Sequence, residues 1–167
     1  LIGWNPSDFS DNQITFGKYH NQSVSWDNVV HQNGLIVVTA VGNERDEGPI
    51  PGVTGGPADC LQGGLGLQAD CISALSTAKN VISVGAMNGA TEIMIFSGYG
   101  PTDDGRIKPD LMAHGFDITS LFSESDTETG QKSGTSMAAP VVSGIAALVL
   151  QEANSANIAM SPAAMKA

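Results

Sequence analysis

Positive charge is scarce in this chain: 7 Lys and Arg stand against 17 Asp and Glu, a net of −10. That balance excludes nucleic acid and anionic membrane surfaces as natural partners, because both select for basic patches. Long apolar runs are missing too. None reaches the length of about 18 residues that a membrane helix needs, so no membrane span is expected. Nor does the start carry a basic stretch followed by an apolar one, and no signal peptide is expected within these residues. What remains suits an ordered α/β domain rather than a disordered segment: 167 residues, 41% hydrophobic, with 20 Gly. Both ends read as cut. Leu1-Ile2-Gly3-Trp4 looks like the tail of a strand already under way. Ser161-Pro162 opens a helix that stops after one turn, too short to support itself.

One stretch organises the rest: Ser133-Gly134-Thr135-Ser136-Met137-Ala138-Ala139-Pro140, followed by the apolar run Val141 to Leu150. The small residues leave room for close approach by another backbone or a ligand. The apolar run has hydrophobic residues on nearly every face, which predicts a helix buried all round. Ser136 then sits at a helix N-terminus, where free N–H groups and the dipole favour negative charge. A nucleophile whose substrate develops an oxyanion belongs at such a place. Taken alone, Gly134-Thr135-Ser136 would be no more than an N-cap.

It is not alone. The Gly-Thr-Ser-Met-Ala-Ala-Pro run resembles the nucleophile motif of the subtilisin-like serine peptidases. Three further stretches match that family in order: Val41-Gly42-Asn43, Ala78 to Ala86, and Gly105-Arg106-Ile107-Lys108-Pro109-Asp110. The resemblance runs from about Leu35 to Leu150. It implies a mostly parallel sheet with helices on both faces, here incomplete, with residues 1–167 forming the C-terminal portion of one catalytic domain. It also implies a serine endopeptidase acting on peptides or proteins through an acyl-enzyme, with Ser136 as nucleophile and Asn43 as oxyanion donor. Walls of the substrate pocket would come from Gly3, Thr39, Ala40 and Gly42, beside Thr135. No cofactor is required for such chemistry. An acid-active family that shares Gly-Thr-Ser has Asp at the oxyanion position, and Asn43 argues against it.

The missing parts are as informative. The order of the subtilisin triad is acid, histidine, serine. None of the three histidines lies in a His-Gly-Thr-His context, and no Asp lies in an Asp-Thr-Gly or Asp-Ser-Gly context. The resemblance therefore places base and acid before Leu1, so the chain alone is expected to be inactive. Such a piece would expose an unpaired sheet edge and an apolar face, and self-association is expected. A non-catalytic binding or scaffolding module of the same fold is the alternative.

Elsewhere the residues predict a helix over 23–32 ended by Asn33-Gly34, and strands over 35–40, 81–86, 92–96 and 117–122. His20 reads as an exposed surface residue, and His114, where relatives carry Pro, as part of a turn. Glu44 to Ile72 reads as a long loop. Its two cysteines, Cys60 and Cys71, could be a disulfide, free thiols or metal ligands. Their spacing matches no zinc pattern. In the secreted, periplasmic or cell-surface setting that the resemblance implies, a disulfide is favoured. The acids Glu44, Asp46, Glu47, Asp59 and Asp70 leave structural calcium open, with no ligand assigned.

Overall fold

The structure, a computed structural model, describes residues 16–46, 71–121 and 126–167. Three strands run parallel: β1 (Val38–Ala40), the central β2 (Ile82–Asn88) and, on its other side, β4 (Leu111–His114). The short β3 (Glu92–Ile93) turns back antiparallel onto the end of β2. A separate ribbon pairs β5 (Ile118–Leu121) with β6 (Thr129–Lys132). The helices are α1 (Asn21–Asn33), α2 (Thr135–Ser155) and α3 (Pro162–Lys166).

Strand alternation assigns the helices to faces. Ile82, Val84 and Ala86 of β2 join Ala113, Ala138 and Val142 in one buried cluster, with Ile36 and Val38 against it. Val81 and Val37, one residue out of phase, pack instead with Val30 and Ala78. Successive strand side chains point to opposite faces, so α2 covers one face and α1 the other. The expected parallel sheet with helices on both faces is therefore present. Val84, fully buried in this sheet, contributes roughly 1.5–3 kcal/mol by its removal from water.

Two expectations change. First, α2 is not buried all round. Ala138, Val142, Ala146 and Ala153 form its buried stripe, while Val141, Ile145, Leu148 and Val149 are exposed at 40–66%. By length and composition α2 could also cross a membrane, although no single run in the sequence is long enough. Its small-residue stripe packs on β1, β2 and β4, as a core helix does, while the larger apolar side chains face away from the sheet. Second, His20 is not a bystander. It caps α1: its Nδ1 accepts from the Gln22 N–H at 3.1 Å, and its own N–H donates to Ser23 Oγ at 3.3 Å. Burial, with Lys18 nearby, holds its pKa below the usual histidine value, which favours the neutral form that can accept. Gly34, at φ 62°, ends the helix as its sequence suggests.

At the amino ends of the strands lies a polar knot. Asp110 accepts from the Ser83 N–H and hydroxyl and from Lys108 Nζ, each at 2.8 Å, and Lys166 stands 3.1 Å away. Lys166 also donates to the carbonyls of Lys79 and Val81, which is how the one-turn α3 is held in place. Burial disfavours the Asp110 carboxylate, but Lys108 and Ser83 outweigh it and its pKa is lowered. Lys108 is only 4% exposed, and burial, opposed by Asp110, brings its pKa from 10.5 down to about 8.

The sign of the consequence is fixed. Because the folded pKa is the lower one, the unfolded chain holds more protons between these values, and stability rises with pH across that window. Taken alone, the gain amounts to about 3 kcal/mol. In the whole protein, Lys108→Met is expected to flatten the rise in unfolding free energy between about pH 8 and 10. Denaturant titrations with the same slope in both proteins would contradict this.

Candidate active site

Ligands of open α/β sheets bind beyond the carboxyl ends of the strands. There, just past β1, the structure brings Asn43 against the start of α2. Asn43 Oδ1 accepts from the Thr135 N–H at 2.7 Å and from the Thr135 hydroxyl at 3.0 Å. The hydroxyl in turn receives the Gly42 N–H at 3.3 Å. Two donors on one amide oxygen fix which end of the Asn43 side chain is which, and they turn the Nδ2 amino group away from Thr135. Ser136, the next residue, is exposed at the first turn of α2. Among the described residues neither its hydroxyl nor its N–H has a hydrogen-bond partner. A side-chain amide and a free backbone N–H beside an exposed hydroxyl can stabilise a developing negative oxygen.

Two glycines permit the approach. Gly42, at φ 115°, leaves space that a Cβ would dispute with the Glu44 carboxylate. Glu44 itself is buried, and its Oε2 accepts the Asn43 N–H at 2.7 Å. Gly115 follows β4 and presses on the loop before Ser136. A Cβ there would stand 2.7 Å from the Gly134 carbonyl oxygen and 2.9 Å from Ala86 Cβ. Gly134 N–H donates to the Gly115 carbonyl at 2.8 Å, closing the seam. The sequence offered Glu44 only among the acids considered for calcium, and did not single out Gly115. A glycine ending an apolar strand and an acid after Gly-Asn were the available signals.

The other expected residues sort as follows. Thr39 is buried and its hydroxyl is spent on Ser76 at 3.0 Å, so any wall it forms is backbone. Ala40 closes β1, and its carbonyl accepts from Ser76. Thr135, grouped with the substrate pocket, is fully buried and faces Asn43. Gly3 lies outside the described residues. So does Cys60, and with it the pairing considered for Cys71; among the described residues Cys71 is buried and has no disulfide partner. Among the described residues no group of three or more His, Cys, Asp or Glu could hold a metal ion. Of the acids considered for calcium, Glu44 is turned to Asn43, Asp46 is exposed and the rest lie outside the described residues. His20 caps α1, His31 lines a cavity of about 520 Å³ between α1 and α3, and His114 ends β4 with an exposed side chain. None of them hydrogen-bonds Ser136. That cavity, lined also by Lys79, Asn80 and Ser161, opens by the amino end of β2, away from Asn43.

The subtilase family profile, Peptidase_S8, matches residues 3–167. The chain belongs to the subtilase family. Similar proteins include the subtilisin-like protease SBT6.1 of Arabidopsis thaliana, 36% identical over 143 residues, covering 80% of this chain and 12% of the relative. Pyrolysin of Pyrococcus furiosus is 31% identical over 160 residues, 87% of this chain and 11% of that protein. Among solved structures, the self-cleaved protease domain of PatA superposes with a TM-score of 0.61 at 26% identity, covering 88% of this chain and 45% of that one. The subtilase chain thus spans under half of a solved protease domain and about a tenth of these relatives.

In the whole protein, Asn43→Ala is expected to lower kcat by about 10²–10³, the loss known for the oxyanion asparagine of subtilisin, with KM little changed. Thr135→Val, which keeps the shape and removes the hydroxyl, should cost about tenfold or less by loosening the Asn43 amide. Unchanged kcat in Asn43→Ala would remove this residue from the chemistry.

Proposed function

We propose that residues 1–167 are the C-terminal portion of a subtilisin-like catalytic domain, and that the whole protein is a serine endopeptidase. The observation that carries this reading is the Asn43–Thr135 pair, which leaves the amide nitrogen and the Ser136 N–H as unspent donors beside one exposed hydroxyl. In the reaction, Ser136 Oγ attacks the peptide carbonyl while its proton passes to a base. The carbonyl oxygen gains charge and is held by Asn43 Nδ2 and the Ser136 N–H. The leaving amine takes the proton, and water later releases the acyl group from Ser136. Thr39 to Gly42 would wall the acyl side of the cleft.

On this reading the base lies outside these residues. None of the three histidines hydrogen-bonds Ser136, which supports an imidazole and a carboxylate supplied by the remainder of the domain. That remainder would also cover Val141, Ile145, Leu148 and Val149 of α2. Without it the chain would be catalytically silent and prone to self-association. As in the family generally, no cofactor takes part in the chemistry. A location outside the cytoplasm belongs to the same reading.

A fluorophosphonate probe tests this. It is expected to label Ser136 in the whole protein and to leave the 167-residue chain unlabelled. Labelling of the isolated chain would mean that a base does lie within it. A folded whole protein that takes no label would instead be a binding module of the same fold.

A further inference from the structure

Arg45 follows Asn43 by two positions, and among the described residues no carboxylate pairs with its guanidinium. The chain has 17 acidic and 7 basic residues, yet no described acid is paired with this arginine. The plain account is a solvated side chain, the usual state of a surface arginine. Arg45 does not behave that way. Its guanidinium carbon lies 4.8 Å from the centre of the Tyr99 ring, and Nη1 donates to the Ser97 carbonyl at 3.4 Å. Its backbone N–H donates to the Phe96 carbonyl at 3.3 Å, and Gly98 N–H donates to the Gly42 carbonyl at 3.1 Å. The segment that carries Asn43 is therefore laced to residues 96–98, and Arg45 is fastened at the far end of that lacing. The aromatic face and the carbonyl hold the guanidinium plane, so little freedom remains to be lost on binding. Only one of its side-chain donors is spent on the protein.

We propose that Arg45 is a specificity determinant: it receives the carboxylate of an Asp or Glu next to the scissile bond of the substrate. This rests on the peptidase reading above. A planar fork with free N–H groups matches a carboxylate in two parallel hydrogen bonds. The net negative charge of the chain would repel an acidic peptide, and Arg45 supplies a local exception two positions after Asn43. The carboxylate could lie on the acyl side of the scissile bond or on the leaving side, and the experiment distinguishes them.

The whole protein is given peptides that differ only in Glu, Gln or Lys at each of the two flanking positions, and kcat/KM is measured. The expected result is a preference for Glu over Gln of about fivefold at one flank, weakened by salt. Arg45→Met keeps the stem against Tyr99 and removes the charge, so the Glu-to-Gln ratio should fall to one. Arg45→Glu should invert it in favour of Lys, and Arg45→Lys should keep its sign. Equal rates for Glu and Gln at both flanks in the wild-type protein would overturn the proposal, whatever the variants do. So would a preference that survives Arg45→Met, which would leave Arg45 as a clamp between its loop and Tyr99. If no peptide is cleaved at all, the peptidase reading itself falls and takes this one with it.

Discussion

The hydrogen bonds between Asn43 and Thr135 are the hinge of this structure in the architectural sense. They join the carboxyl end of β1 to the amino end of α2, two elements far apart in sequence and brought together only by the sheet. Each bond alone is worth about 1 kcal/mol net. Their importance is directional. By occupying the amide oxygen with the Thr135 N–H and hydroxyl, they leave the nitrogen without a partner among the described residues. An amide that was free to flip would present either end, and the site would lose the sign of its field.

The sheet exists to hold that pair in register. Ala40 stands opposite Val84, and Val84 opposite Leu111, so β1 ends level with the start of β4, and all three strands run toward the same side of the molecule. Asn43, Gly115 and the start of α2 converge there. At the opposite end sits the Lys108–Asp110–Lys166 knot, remote from the chemistry and bound by strong, half-buried charges. One end is tightly satisfied and the other has donors to spare, the division expected of a stable scaffold carrying a reactive site.

Much of this was legible in the sequence, and the exceptions have physical causes. The strand over 35–40 and the helix after Ser133 announce themselves through β-branched runs and small residues. The observed strand is shorter, Val38–Ala40, because only those residues find a partner in β2. The α2 helix looked buried on every face because its sequence is apolar on every face, whereas burial depends on what else packs against it. Val141 and Leu148 show the difference. His20 was opaque for another reason. Capping is usual for Ser, Thr, Asp or Asn, and a neutral imidazole can do the same work only where its surroundings keep it unprotonated. Ser136 and Asn43 could be nominated from motif order, but the role of Thr135 in setting the amide could not, since spacing says nothing about which atom meets which.

Gly115 carries one more implication. The gap it occupies is narrower than a methyl group, with the Gly134 carbonyl on one side and the Ala86 and Ala138 side chains on the others. Even alanine would have to wedge the edge strand away from the long helix. The serine rides on the first turn of that helix, so its aim is calibrated by the thickness of a single hydrogen atom on the neighbouring backbone. Drift at this position would shift the Ser136 hydroxyl without altering Asn43 or Thr135.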